Sequence, residues 1–136
     1  MKLTKKQREE LRMKFGGRCA YCGCELQKGW HADHITPVRR TIVEKIENGR
    51  ARLTTSMDGV DPALDVVDNL FPACVQCNLL KSSSSVEGFR RNIASQVEKA
   101  TDYSNHFRTA LRFDQVKITQ SPIVFWFEKY QREGAA

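Results

Sequence analysis

Cys19-Ala20-Tyr21-Cys22 and Cys74-Val75-Gln76-Cys77 are two knuckles of the same form in one chain, with 51 residues between them. Each lets two thiolates converge on one ion, and two together supply the four ligands of a tetrahedral site. The pattern predicts a structural zinc held by Cys19, Cys22, Cys74 and Cys77. Such a site has no open position, so it serves folding rather than catalysis. Iron in a rubredoxin-like site is the chemical alternative. A redox pair, or four free buried thiols, does not explain why two such pairs share one small chain. Cys24, two residues past a ligand, stays unassigned.

The segments around the knuckles read as α+β. Thr4 can cap a helix over 5–15 that places Leu11 and Phe15 on one face, and Gly16-Gly17 ends it. Cys19–Cys24 is a tight turn. Trp30–Ile35 reads as a short strand stopped by Pro37. Residues 39–49 are expected to form a helix, Arg39 through Asn48, closed by Gly49, and 53–68 a turn-rich acidic stretch. Ser82–Ser85 should cap a helix over about 86–100, with another over 102–112. Val116 and Ile118 alternate as in a strand, and Ile123–Tyr130 is an aromatic-rich final element. Phe125-Trp126-Phe127 reads as core rather than as a base-stacking platform.

At 136 residues and 40% apolar composition, the chain should be one domain over 1–136 with a modest core that gains from a metal staple. Its core would span 18–85, with 86–136 packed on it as an extension. No apolar run is long enough for a membrane span, and residues 1–15 lack the apolar run of a signal peptide. A cytoplasmic protein is expected, with cysteines reduced or metal-bound. The net charge of +6 is unevenly spread: residues 1–18 carry seven Lys/Arg against two Glu. That basic segment favours a polyanionic partner. No membrane or small-molecule partner is indicated, and the oligomeric state is open.

Between the knuckles lies Trp30-His31-Ala32-Asp33-His34-Ile35-Thr36-Pro37, and Asn78-Leu79-Leu80-Lys81 follows the second. On a strand Asp33 and His34 point to opposite faces unless the backbone bends. By itself the pair also fits an exposed strand end, a core His bonded to a carboxylate, or an extra metal site.

The combination of Cys19-x-x-Cys22, Asp33-His34-Ile35-x-Pro37, Asp68-Asn69-Leu70 and Cys74-x-x-Cys77-Asn78-x-x-Lys81 resembles the zinc-containing branch of the HNH endonucleases, over residues 18 to about 82. The resemblance implies a ββα-metal finger stapled by the cysteine site and flanked by the N-terminal helix and the C-terminal extension. It implies a metal-dependent enzyme that hydrolyses DNA phosphodiester bonds. His34 would be the general base, Asp33 and Asn78 the ligands of a catalytic Mg²⁺ or Mn²⁺, and Asn69 the residue that ties the loop and orients the His. The residue types suit this chemistry, since a base titrating near neutrality and hard oxygen ligands are what hydrolysis of a phosphodiester uses. A phage or mobile-element setting, in the host cytoplasm, is implied only by the resemblance.

Two features depart from the family. Position 31, often acidic there, is His31, which either assists the metal or packs beside Trp30. The stretch 39–67 is longer than in many members and holds Arg39, Arg40, Lys45, Arg50 and Arg52, as either a substrate-contacting insertion or a surface excursion. Lys81 either meets a phosphate or sits solvated at a helix. The rival readings are a non-catalytic zinc-stabilised module that binds DNA or protein, and a purely structural zinc protein.

Overall fold

The computed structural model describes residues 1–134, so the expected 1–136 domain runs two residues beyond the described part. It is a mixed α+β structure with two small sheets. The element order is α1 (Lys5–Met13), β1 (His31–His34), β2 (Thr41–Glu47), β3 (Arg50–Ser56), a 3₁₀ turn (Val67–Asn69), β4 (Leu70–Ala73), α2 (Val75–Lys81), α3 (Val86–Ala94), α4 (Gln96–Tyr103), α5 (Asn105–Arg112) and α6 (Trp126–Gly134). No described helix is long and apolar enough to cross a membrane.

α1 starts where Thr4 and Gln7 form a reciprocal capping box, each side chain accepting from the other's backbone N–H. β1 pairs antiparallel with β4, from His31 opposite Ala73 to His34 opposite Leu70. Cys74 follows as the N-cap of α2, its sulfur accepting from the Cys77 N–H at 3.4 Å. The second knuckle is thus the start of a helix, and α2 packs back against β1.

The core is aromatic and lies between the knuckles and the chain's end. Phe15, Tyr21, Phe71, Phe89 and Phe125 form one buried cluster with Cys19, Ala20 and Ala73. Tyr21 meets Phe89 and Phe125 edge-on at 5.2 and 5.3 Å between ring centres, a preferred aromatic geometry. The extension docks through its backbone as well: Trp126 N donates to Tyr21 O at 3.0 Å and Phe127 N to Ala20 O at 2.8 Å. Gly23 has φ +77°, and a Cβ there would lie 3.2 Å from the Trp126 ring, so both backbone and packing call for glycine. Leu11, Trp30 and Leu70 make a second, smaller cluster beneath α1.

Several expected elements differ. The helix expected over 39–49 is instead the first arm of an antiparallel hairpin, β2–β3, in register from Thr41 opposite Ser56 to Glu47 opposite Arg50. Asn48-Gly49 is its two-residue turn, with φ of 52° and 71°, the conformation that Asn-Gly favours in hairpins. The helix expected over 86–100 breaks at Ser95 into α3 and α4, and the next begins at Asn105 rather than 102. Val116 and Ile118 lie in no strand, and the final aromatic element is helical only from Trp126.

Candidate metal centre and active site

The two knuckles meet. The sulfurs of Cys19, Cys22, Cys74 and Cys77 all lie within 4.8 Å of one another, and Cys22 and Cys74 are 3.8 Å apart. A tetrahedron with metal–sulfur bonds of about 2.3 Å has edges of about 3.8 Å, so the donor set fits a zinc ion in both chemistry and dimension. Electrostatics point the same way. A proton donated by Cys77 holds the Cys19 thiol down to about 4, while that contact and burial push Cys77 far above the usual thiol range. One thiolate suppresses ionisation of its neighbours, and a divalent cation is what would let all four lose their protons. Cys24, exposed beside Cys22 and Cys74, is pushed up to about 12 by burial and those sulfurs, and it falls outside the four-sulfur group.

Asp33, on β1, faces α2. It is buried, and both its oxygens have partners within the protein. Tyr21 donates its hydroxyl to Oδ2 at 2.5 Å. Lys81 Nζ lies 3.1 Å from Oδ2 and 3.4 Å from Oδ1, and donates to the His34 carbonyl at 2.9 Å. Burial and the Asp33 charge push the Tyr21 hydroxyl well above its ordinary range, so it stays a donor. Lys81 is wholly buried; it is neither solvated nor turned to meet a phosphate.

Asn78 lies near the exposed side of this assembly. Its Nδ2 donates to His31 Nδ1 at 2.9 Å, one residue along from a zinc-site cysteine. Of the residues expected to hold a catalytic Mg²⁺ or Mn²⁺, Asp33 does not offer an open oxygen. Its carboxylate is engaged by Lys81 and Tyr21, whereas at Asn78 it is the amide nitrogen that meets His31. The cysteine group is the one assembly of three or more His, Cys, Asp or Glu side chains close enough to share an ion among the described residues.

His34 faces the other way. Its Nε2 lies 3.0 Å from Asp65 Oδ1, and since a carboxylate only accepts, Nε2 carries the proton. In the neutral ring the lone pair is then on Nδ1. Asp65 is held below the usual carboxylate range by hydrogen bonds from the Met1 amino group and from His34. The pair lines a cleft of about 590 Å³ whose walls also include Lys2, Arg8, Arg40 and Thr55. Arg8 is fixed there, donating to the Trp30 carbonyl at 2.8 Å and stacked 4.1 Å over its ring. Asn69 clasps the loop that follows His34. Its Oδ1 accepts from Thr36 N at 2.9 Å, and its Nδ2 donates to the carbonyls of Thr36 and Leu64 at 2.9 and 2.8 Å.

Sequence reasoning missed Asp65 and Tyr21. Asp65 is one of several acids in an irregular stretch, and no periodicity marks it. Tyr21 sits inside a knuckle, where its hydroxyl has no motif. Comparison with protein families, with curated proteins and with solved structures gives no match.

Proposed function

We propose that this chain hydrolyses phosphodiester bonds of DNA, with His34 as the general base. The observation that carries the reading is the His34–Asp65 pair in a cleft lined by Lys2, Arg8 and Arg40. A carboxylate that fixes the tautomer leaves Nδ1 unprotonated and able to accept a proton, and ionised Asp65 stabilises the imidazolium that results. Water deprotonated by Nδ1 attacks phosphorus, and the bond to one ester oxygen breaks; that oxygen takes up a proton from solvent water, and the His34 imidazolium returns its own to solvent. Lys2 and Arg40 offset the charge that develops on the phosphate oxygens. Asn69 holds the loop after His34 and is a positioning residue. The antiparallel β1–β4 pair followed by α2 agrees with the arrangement the HNH resemblance implies, and a zinc ion on the four cysteines would join its two ends.

No step here runs through Mg²⁺ or Mn²⁺ at Asp33, because the Lys81 ammonium already takes the place of its cation. That same fact favours the second reading, a non-catalytic zinc-stabilised module that binds DNA or protein. Purified protein incubated with supercoiled, linear and branched DNA, with and without each ion, separates the two. Cutting that His34→Ala abolishes supports hydrolysis; binding of DNA with no cutting under any of these conditions supports the module.

A further inference from the structure

The β2–β3 hairpin is the part of the molecule for which the core has no use. Its strands pack on each other, and apart from half-buried positions near its base its side chains are exposed. A lone two-stranded ribbon is marginally stable in water. Side chains alternate across it. One face carries Ile42, Ile46 and Leu53. The other carries Lys45, Glu47, Arg50 and Arg52.

That second face is built against itself. Lys45 stands directly opposite Arg52 in the register, and like charges so placed repel. The nearest relief is Glu47, 3.9 Å from Arg52 and opposite Arg50 in the register, which leaves the face with a net positive charge. An anion laid across Lys45 and Arg52 would remove the repulsion. The base of the ribbon reaches the cleft by its other face: Thr55, which lines the wall around His34, pairs with Ile42 on the side away from Lys45 and Arg52. Seven residues at about 3.3 Å each make the arm roughly 23 Å long. A two-stranded ribbon fits the major groove of B-DNA, which is about 12 Å wide.

We infer that the β2–β3 ribbon is a DNA-binding arm that lays Lys45 and Arg52 along duplex DNA. The inference rests on the reading of the chain as a DNA-cutting enzyme. It assigns the ribbon to contact with the backbone and groove, and neither Lys45 nor Arg52 to the chemistry. Phosphate contacts of this kind add affinity across all sequences and make it depend on salt.

The test is binding of the full chain to a fluorescent 30-base-pair duplex across a salt series, beside plasmid cutting by the same samples. Lys45→Ala/Arg52→Ala should lower affinity by ten- to a hundredfold at about 0.1 M salt and make the log–log salt slope shallower by about 2. Its melting temperature and zinc content should match the wild type. Lys45→Arg/Arg52→Lys should bind as the wild type does, and Ile46→Ser, on the opposite face, within about twofold. Unchanged affinity and slope in the double alanine variant, with the wild type still binding and cutting, would overturn the arm and leave the enzymatic reading standing. Loss of binding from Ile46→Ser alone would also overturn it, in favour of an apolar contact such as self-association. A wild type that neither binds nor cuts duplex DNA would remove the enzymatic reading, and the arm with it.

Discussion

At residue scale, the instructive position is Asp33. As the acid of an Asp-His pair it reads as a metal ligand, yet strand alternation turns it inward, away from the face of His34. There it is the counter-ion of a buried lysine. Removing one partner of such a pair leaves an uncompensated buried charge, whereas removing both is far less costly. Asp33→Ala should therefore destabilise the protein by roughly 3–5 kcal/mol, and Asp33→Ala/Lys81→Met should recover much of that loss. Denaturant melts of the two variants and of Lys81→Met check this; a double variant as unstable as Asp33→Ala would refute the pairing. His34 differs in kind. His34→Ala should slow the proposed hydrolysis by a factor on the order of 100 or more while leaving the melt unchanged. Asp65→Asn, which keeps the shape but loses the charge, should fall between it and the wild type. Rates equal to wild type for Asp65→Asn would detach Asp65 from the chemistry.

At the scale of elements, the knuckles, α1 and β1 were legible because each carries its own local chemistry: a cap, a thiol spacing, a proline stop. The arm over 41–56 was not. Gly49 has the form of a helix C-cap, but Thr41, Val43, Ile42 and Ile46 are β-branched, and Asn48-Gly49 is as strong a hairpin signal as a sequence offers. The break at Ser95 was illegible for another reason, since α3 and α4 carry similar local propensities and only packing separates them. Docking of the extension was expected from its aromatics, but its ionic clamp was not. Arg90 bonds Glu128 at 2.8 and 3.0 Å and the Ile123 carbonyl at 2.6 Å, and it lies 4.6 Å from the centre of the Phe125 ring. The Arg90 guanidinium, helped by the Phe125 N–H, holds the Glu128 carboxyl below the ordinary glutamate range. A depressed carboxyl stabilises the fold at pH above its unfolded value, and the contribution is lost as pH falls through the folded one. Glu128→Gln should thus lower the melting temperature near neutrality and narrow its gap to wild type below about pH 4. A gap that stays constant with pH would place the clamp's contribution in packing instead.

At the scale of the whole molecule, the four cysteines bring together segments far apart in sequence. The first knuckle follows α1, the second opens α2, and the aromatic extension packs around both. One zinc per chain should copurify, and exhaustive chelation should unfold the protein, since structural zinc binding is worth roughly 10 kcal/mol or more. Cys74→Ser should lose zinc and fold together, as read by metal analysis and circular dichroism. A metal-free protein with an unchanged cooperative melt would refute the staple. The zinc staple and the proposed cutting site on the far face of β1 can be tested together on one sample. Supercoiled plasmid is incubated with wild type and with His34→Ala, with and without Mg²⁺ or Mn²⁺, and zinc content and melting are measured on the same preparations. We expect one zinc per chain and matching melts in both proteins, with nicked or linear plasmid from the wild type alone. A folded, zinc-loaded wild type that leaves the plasmid intact in every condition, or a His34→Ala variant that cuts within a few-fold of it, would refute His34-dependent hydrolysis.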